Sequence, residues 1–497
     1  MALSLVPQPS KKPAWSAGRT FLPALPDWLA GIVRNELTFR NPAWDMRVKS
    51  GQPLEGVKEY IQLWVYWEPE PGVQALVVPR YYWNHLLDPY TYRSAIPSDG
   101  AGLTFSMQFQ PRDNQLDVVA WLEGHPGDIG LKLPCGFGKT YLALLHCSQH
   151  PGRTLVVLPN NERLGGWREA ILEHTDLQPE QIGHVQGPKR VWEDCPITLA
   201  MLKTMSMQDF PQEFLGGFTN VIWDEIHLAS AVMMSQALGK VNGRQIGLSA
   251  TPGSGVRRKV ITNHLGETWM SQQQSDARPL TVHFMRVGVP KFLSGGDGKA
   301  EFAWRNQKHL IAKNRRYSEV AAMLTKSAVD DGRRVLVLND AIQPLVQIGL
   351  ECPDMDFGFV IGQQSLRNIL DIHFPKIQET IDAQEGTTIG TRISNYLKHV
   401  KNQCNPILAT GLKKNQPGGM GMDVADLSGG VVMFPTPNPD MTTQLAGRWR
   451  RAHATKKDPL LVVMVPNTPR GIEAAERMAS TLERLPNTTI IFNNNLL

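Results

Sequence analysis

The segment Leu131–Thr140 has the sequence LKLPCGFGKT, in which an apolar strand pattern leads into a turn and then into a helical pattern. The turn contains Gly136 and Gly138, and glycines allow backbone N–H groups to approach an anion closely. The helix that follows directs the positive end of its dipole at the same place. The segment therefore predicts a phosphate-binding loop, in which Lys139 reaches the phosphates and Thr140 offers its hydroxyl to Mg²⁺.

This loop departs from the strict pattern at one position, since Leu133 stands where glycine is expected five residues before Gly138. An ordinary strand–turn–helix connection with glycines in the turn is the alternative interpretation. The residues predicted to cradle phosphate are Pro134, Cys135, Gly136, Phe137, Gly138, Lys139 and Thr140.

Strand-like and helix-like patterns alternate on both sides of the loop. Short apolar runs such as TLVVLP and VIWDE are separated by amphipathic stretches such as ERLGGWREAILEH. This alternation is typical of a parallel sheet covered by helices. A second set of runs begins near Thr281, after the polar stretch Met270–Pro279, which we interpret as a linker. We predict an α/β chain with two tandem parallel-sheet domains at residues 103–275 and 276–497.

The first hundred residues have a different composition, with 14 of the 38 aromatic residues of the chain. The runs YIQLWVYW and VQALVVPR, on either side of EPEPG, predict a β-hairpin. We predict a small β-rich or α+β accessory domain at residues 1–102, with IPSDGAG as its linker. Its aromatic side chains either build a core or an interface, or form a surface that stacks on nucleic-acid bases. We favour the core.

Two carboxylates follow a buried strand pattern in VIWDEIHLAS. Ligands of open α/β sheets bind at the carboxyl ends of the strands, where Asp224 and Glu225 are expected. Asp224 is predicted to hold Mg²⁺, and Glu225 to orient and polarise an attacking water. The alternative is an acidic turn without function. The phosphate loop argues against this alternative, because it precedes the strand at a distance that fits one domain.

Two further short motifs are ambiguous when taken alone. Ser249, Ala250 and Thr251 follow the strand QIGL, and their hydroxyls and His227 are predicted to couple the phosphate site to a neighbouring surface, although SATP is most often a simple turn. In QLAGRWRR, helical spacing places Gln444, Arg448 and Arg451 on one face. Such arginines stabilise the transition-state charge of phosphoryl transfer, form a solvated basic face, or contact nucleic-acid phosphates.

Composition excludes several classes of protein. The chain has 497 residues, 42% of them hydrophobic and 20% charged, so it is neither disordered nor a disulfide-stapled mini-protein. Its net charge of +5 is compatible with a nucleic-acid partner. The five cysteines form no C-x-x-C pair, and neither a signal peptide nor a membrane span is evident. We expect no membrane partner and a cytoplasmic location in a bacterial or phage-infected cell.

The order of the motifs is more specific than each motif alone. GFGKT, DEIH, SATP, the later GMD and QLAGRWRR resemble the motifs of superfamily 2 helicases and translocases of the DExH type, including UvsW-like phage helicases and the RecG and XPB relatives. The resemblance covers residues 105–465. It implies two RecA-like domains with ATP and Mg²⁺ in the cleft between them.

The resemblance also implies roles for residues that surround the nucleotide. Arg112 and Gln115 look like an R-x-x-Q element, in which Gln115 reads the adenine edge. Gly421 and Asp423 lie near ATP in the equivalent of motif V. In motif VI, Arg448 and Arg451 are implied to be arginine fingers that Gln444 orients. Cys135 and Phe137 replace the commoner Thr and Ser of the loop, which is tolerable because the backbone makes the cradle.

Other positions are implied to contact nucleic acid. LVVLPNNERLGGW is similar to region Ia, with Pro159, Asn160 and Arg163 near the nucleic-acid backbone. ITLAMLKTM resembles region Ib and contains Thr204, and Thr410 contacts phosphate in motif V. The stretches LTFRNPAWDMR and VVPR resemble the accessory domain of UvsW-like proteins. Residues 367–400 are longer than expected and are interpreted as an insertion.

These motifs lead to the expectation of an ATP-dependent helicase or translocase that acts on branched or duplex DNA in recombination, repair or replication. DNA is favoured over RNA because of the UvsW-like and RecG-like features. The alternatives are an ATP-gated remodeller or clamp that does not separate strands, an RNA helicase, and the motor subunit of a restriction-type complex. The sequence does not predict a protein partner.

Overall fold

The computed structural model divides the chain into two compact units, Met1–Gln273 and Gln274–Leu497. The residues that the structure describes are 19–23, 25–49, 51–70, 73–82, 85–87, 92–93, 103–134, 136–231, 233–272, 278–290, 304–362, 366, 369, 373–386, 389–411, 424, 426–450, 453, 456–493 and 495–497.

The first unit begins with an α+β region. Its strands are β1 (Arg19–Pro23), β2 (Thr38–Arg40), β3 (Tyr60–Gln62), β4 (Val65–Glu70), β5 (Val73–Pro79) and β6 (Tyr92–Arg93), and its helices are α1 (Asp27–Glu36) and α2 (Pro42–Lys49). Four strands form an antiparallel sheet in the order β4-β5-β1-β6, and β2 pairs with β3. Of the two expectations for this region, β-rich or α+β, the second is confirmed.

A sheet of eight strands follows in the order β10-β9-β11-β8-β12-β13-β7-β14. The strands are β7 (Ile129–Lys132), β8 (Thr154–Leu158), β9 (Ile182–Gln186), β10 (Lys189–Val191), β11 (Ile197–Met201), β12 (Asn220–Asp224), β13 (Arg244–Ser249) and β14 (Trp269–Ser271). All neighbouring strands pair in parallel, except that β9 and β10 pair with each other in antiparallel fashion. The helices are α3 (Leu116–Glu123), α4 (Lys139–Ser148), α5 (Asn161–His174), α6 (Leu202–Met207), α7 (Gln212–Gly216), α8 (Ser235–Leu238) and α9 (Gly255–Leu265).

The central strands β8, β11 and β12 are buried on both faces, which explains why they read as continuous apolar runs. Successive side chains of a strand point to opposite faces, and in β8 Leu155 and Val157 belong to one buried cluster while Val156 and Leu158 belong to the other. The first of these clusters also contains Leu22, which belongs to the N-terminal region. The N-terminal region therefore shares a core with the first sheet.

Polar contacts reinforce this shared core where β5 ends. Arg80 Nη1 lies 2.7 Å from Asp128 Oδ2, and Arg80 Nη2 donates to Asn242 Oδ1 over 3.0 Å. Tyr81 donates its hydroxyl to the same Asp128 oxygen over 2.9 Å. The end of VVPR is thus tied to the loops that precede β7 and β13.

The second unit contains a sheet of seven strands in the order β17-β18-β16-β19-β20-β15-β21, with parallel pairs throughout. The strands are β15 (Leu280–Val287), β16 (Val335–Asn339), β17 (Gly358–Val360), β18 (Ile407–Thr410), β19 (Gly429–Val432), β20 (Leu460–Pro466) and β21 (Thr488–Asn493). The helices are Trp304–Ala312, Arg315–Asp330, Ile342–Glu351, Pro375–Asp382, Ile389–Gln403, Pro439–Trp449 and Pro469–Leu482. The fold class of two tandem parallel-sheet domains of the RecA-like type is confirmed.

Two local predictions need correction. The predicted single strand over YIQLWVYW is divided, because Tyr60–Gln62 pairs with β2 whereas Val65–Glu70 pairs with β5. Trp64, between them, donates its Nε1–H to Thr38 Oγ1 over 3.0 Å, so its side chain is tied to β2. The predicted linker Met270–Pro279 begins too early, since Met270 lies in β14 beside β7.

The division into three domains stays a prediction. Residues 94–102, which contain the whole of the predicted first linker, and residues 273–277 of the second lie outside the described residues. The N-terminal aromatic side chains divide between the two interpretations. Tyr82 is buried, whereas Trp28, Tyr60 and Tyr66 are exposed. No helix in the described part of the chain is long and apolar enough to cross a membrane.

Candidate functional site

The loop between β7 and α4 has the geometry of a phosphate cradle. Gly136 and Gly138 adopt φ angles of +80° and +94°, which side chains rarely allow. Lys139 is the first residue of α4, and its Nζ donates to the carbonyls of Leu133 and Pro134 over 2.9 and 3.0 Å. The ammonium is thus held at the mouth of the loop by neutral acceptors, which an anionic ligand can displace. Cys135 lies outside the described residues.

Gln115 is hydrogen-bonded to this loop. Its Nε2 donates to the Phe137 carbonyl over 2.7 Å, and its Oε1 accepts from the Arg112 backbone N–H over 3.0 Å. Gln115 is 2% exposed, whereas the Arg112 side chain is exposed. The R-x-x-Q element is therefore joined to the phosphate loop, and the contact of Gln115 with adenine stays a prediction.

The close approach of Gln115 makes Gly138 the most constrained residue of the loop. A Cβ atom added to Gly138 would lie 2.3 Å from Gln115 Nε2, in a backbone conformation that already favours glycine. We expect Gly138→Ala to lower the free energy of unfolding by about 1–2 kcal/mol, measured by chemical denaturation, and to weaken the binding of a fluorescent ATP analogue.

Gly166→Ala is the matched control for that substitution, because Gly166 lies on α5 and a Cβ atom added there would meet open space. Alanine in a helix is favoured over glycine by about 0.5–1 kcal/mol, so this variant is expected to be slightly more stable and to bind the analogue normally. Equal behaviour of the two variants would contradict the constraint assigned to Gly138.

The two carboxylates lie where β12 ends. Asp224 is its last residue and Glu225 follows, with exposed fractions of 6% and 5%. Glu225 has a φ of 49°, in the left-handed region that a non-glycine residue rarely occupies. Strain of this kind concentrates at functional sites. Its Oε2 lies 3.4 Å from His227 Nδ1 and accepts no hydrogen bond from the described residues.

Helix α5 covers these carboxylates with two side chains from consecutive turns. Trp167 donates its Nε1–H to Asp224 Oδ2 over 3.1 Å. Arg163 donates its Nη2–H to Glu225 Oε1 over 2.7 Å, and its Nε is 3.7 Å from Asp224 Oδ2. Burial raises the pKa of the Asp224 carboxyl, and the Arg163 guanidinium acts in the opposite direction.

The placement of Arg163 is unusual for a cation. Asn160 caps α5 by accepting from the Arg163 backbone N–H over 2.9 Å, so Arg163 lies in the first turn of the helix. A positive charge there is disfavoured by the helix dipole by about 0.3–1 kcal/mol. The carboxylates of Asp224 and Glu225 compensate for this repulsion.

The predicted coupling residues are close together in the structure. His227 Nδ1 is 3.0 Å from Ser249 Oγ, and the same hydroxyl accepts from the Thr251 backbone N–H over 3.0 Å. Ser249 is the last residue of β13, and Ala250 follows it half-buried. Since β13 lies between β12 and β7, the DEIH, SATP and GFGKT motifs meet at one edge of the sheet.

Other predicted residues are distributed around the first sheet and in the second unit. Pro159 and Asn160 are half-buried where β8 leads into α5. Thr204, on α6, is buried and accepts from the Gly187 backbone N–H over 3.1 Å. Thr410 is buried at the end of β18. Their contacts with nucleic acid stay predictions.

The motif VI residues lie on the helix Pro439–Trp449, where Gln444 and Arg448 are one turn apart and both buried. This helix ends at Trp449, two residues before Arg451. Arg451 lies outside the described residues, as do Gly421 and Asp423. The role of Arg448 as an arginine finger stays a prediction.

Sequence reasoning missed the contribution of α5 to the carboxylate site. Trp167 was given no role, and Arg163 was assigned to nucleic acid alone. The signal was present in the spacing, because residues four apart share one face of a helix, and Asn160 marks the start of that helix as a cap.

The oxygen ligands of this site suit a Mg²⁺ ion that is bound together with a nucleotide better than a metal ion held by protein side chains alone. Among the described residues there is no group of three His, Cys, Asp or Glu side chains that could hold a metal ion. Asp224 and Thr140 offer two oxygen donors, and Mg²⁺ typically takes one or two protein oxygens together with phosphates and water. The orphaned Glu225 Oε2 beside them fits a site that admits a further polar ligand.

The chain is similar in sequence to known proteins. Residues 108–254 match the family described as type III restriction enzyme, res subunit. Over 351 residues the chain is 25% identical to the probable helicase D10 of Escherichia phage T5, which covers 69% of each protein. Over these stretches the chain is similar to proteins that are named as restriction-enzyme subunits and helicases. The resemblance inferred from the motif order is thereby confirmed.

A second group of relatives is matched over shorter stretches. The putative DNA 3'-5' helicase Rad25 of Halobacterium salinarum is 31% identical over 155 residues, which cover 31% of this chain and 25% of that protein. This chain therefore matches only a quarter of the length of that archaeal relative. The crystal structure of the Pyrococcus furiosus Hef helicase domain aligns with a TM-score of 0.44 at 14% identity, over 73% of this chain and 97% of that one.

Proposed function

We propose that the protein is a nucleic-acid-stimulated ATPase that acts as a DNA helicase or translocase. The observation that carries this proposal is the convergence of three loops at one sheet edge, after β7, β12 and β13. They bring Lys139, Glu225 and Ser249 to the place where α/β sheets bind ligands. The phage and archaeal relatives are named as helicases, the archaeal one as a DNA helicase.

In the proposed reaction ATP is the substrate, and its phosphates lie over the glycines of the loop and the N-terminus of α4. Lys139 leaves the Leu133 and Pro134 carbonyls and donates to phosphate oxygens instead. Asp224 and Thr140 hold Mg²⁺, which supplies positive charge against the phosphates when it is bound. Glu225 orients the attacking water and accepts its proton.

The remaining predicted residues complete the proposal. His227, Ser249, Ala250 and Thr251 transmit the state of the phosphate site, since the first two side chains already lie within hydrogen-bonding distance. Arg448, Arg451, Gln444, Gly421 and Asp423 are assigned to the nucleotide from the second unit. Pro159, Asn160, Thr204 and Thr410 are assigned to the backbone of the bound strand.

The nucleic-acid dependence of the ATPase tests this function. Turnover is measured at one salt concentration with forked DNA, single-stranded DNA, RNA and no nucleic acid, because phosphate contacts depend strongly on salt. We expect the largest stimulation with forked DNA. Stimulation by RNA alone would favour an RNA helicase, and stimulation by DNA without strand displacement would favour the clamp. Equal rates in all four conditions would contradict the proposal.

We place the protein in the cytoplasm of a bacterial or phage-infected cell, where its DNA substrate is found. The phage relative supports this placement.

A further inference from the structure

Arg163 connects two parts of the molecule that the proposed function treats separately. Its guanidinium donates to Glu225 Oε1 over 2.7 Å, so it occupies one oxygen of the carboxylate that would orient the attacking water. That hydrogen bond uses one of the lone-pair sites of Oε1 and fixes the direction of the carboxylate. The other oxygen of Glu225 is buried beside His227. In the observed structure, Arg163 therefore restrains Glu225, the side chain that is proposed to orient the attacking water.

The same side chain has access to solvent. Arg163 is 29% exposed, whereas the side chains of Asp224 and Glu225 are 5% and 7% exposed. It lies at the beginning of α5, where backbone N–H groups already attract anions. A guanidinium group binds a phosphate in the same bidentate manner in which it binds a carboxylate. A nucleic-acid phosphate that reaches this end of α5 thus competes with Glu225 for Arg163.

We propose that Arg163 couples nucleic-acid binding to ATP hydrolysis: it restrains Glu225 in the free protein and transfers to a nucleic-acid phosphate in the bound protein. This inference rests on the proposed function, since it needs a nucleic-acid ligand. The exchange is an ion-pair swap, so no covalent bond is made or broken, and the negative charge of the phosphate replaces that of Glu225 beside Arg163. Arg163 is a positioning residue in this scheme, because it acts on the reaction through Glu225.

Arg163→Leu tests the coupling, with Arg168→Leu as its matched control. Both arginines belong to α5, and Arg168 donates to the carbonyls of Pro179 and Ile182, away from the carboxylates. The helix cap survives in both variants because Asn160 binds the backbone N–H of residue 163. Thermal unfolding verifies that each variant is folded, and Arg163→Gln carries the same test if the leucine variant does not fold.

Two measurements are made on each variant. The ATPase rate is expected to rise about tenfold without nucleic acid in Arg163→Leu, the effect of one lost charge-assisted hydrogen bond, while the rate with saturating forked DNA stays within a factor of three. The ratio of the two rates therefore falls. The slope of log affinity against log salt for forked DNA is expected to decrease in magnitude by about 0.9, which corresponds to one phosphate contact. Arg168→Leu leaves both quantities at wild-type values.

Equal losses of both rates in Arg163→Leu would overturn the inference, because they would mean that Arg163 only orients Glu225 for catalysis. An unchanged salt slope would overturn it as well, since no phosphate would then compete for the guanidinium. Failure of the proposed function is recognised separately, in a wild-type ATPase that no nucleic acid stimulates. Failure of the coupling appears only in the variants.

Discussion

Glu225→Gln is expected to lower the nucleic-acid-stimulated ATPase rate by about 10²–10⁴-fold, the contribution of a general base. The amide is close in size to the carboxylate, so the buried position after β12 is preserved, but it no longer accepts a proton from water. Binding of a fluorescent ATP analogue is expected to stay near the wild-type level, because the phosphate loop is unchanged. The rate is measured at saturating ATP with and without forked DNA.

Glu213→Gln provides the control for the loss of one carboxylate. Glu213 lies on α7 of the same unit and is exposed to solvent, so its replacement is expected to leave the rate unchanged. A rate for Glu225→Gln within threefold of the wild-type rate would exclude the water-orienting role of Glu225. Thermal unfolding distinguishes a specific loss from a folding defect, since the variant also weakens the ion pair with Arg163.

Lys139→Ala is expected to abolish detectable ATP turnover and to weaken nucleotide binding by about 10- to 100-fold, the range of a charge-assisted hydrogen bond. In the structure the ammonium donates to the backbone carbonyls of Leu133 and Pro134 and forms no ion pair with the described residues. The unfolding midpoint is therefore expected to change little. Affinity is measured by titration of a fluorescent ATP analogue.

Lys132→Ala is the control for that variant, because Lys132 ends β7 seven residues earlier and is exposed. It removes the same charge from the same region without entering the loop. If both lysine variants bind the nucleotide as the wild type does, the loop after β7 is not the phosphate site.

Much of the fold was predictable because buried parallel strands leave a strong signal. TLVVLP, VIWDE and QIGLSA appear as β8, β12 and β13, within one or two residues of the predicted ends. Hydrophobic burial on both faces forces such runs to be apolar throughout, whichever helices cover them. The predicted hairpin was less accurate, because a local pattern does not distinguish β3 from β4 when both are short and aromatic.

The site was predictable in its motifs and not in its internal contacts. Glycine conformation and strand ends constrain Gly138 and Asp224 locally, so their positions follow from the sequence. The direction of a long side chain is different, because it depends on which partners it finds in space. Arg163 therefore could be placed at the start of α5, whereas its pairing with Glu225 and the support of the phosphate loop by Gln115 required the structure.

The buried cluster that joins Leu22 to Leu155 has a mechanical consequence. Side chains in a close-packed interior move together, because the interior has low compressibility. The ion pair between Arg80 and Asp128 adds a polar contact between the same two regions. The N-terminal region is therefore expected to move together with the first sheet, and a displacement of that sheet would displace the exposed side chains of Trp28 and Tyr66 by the same amount.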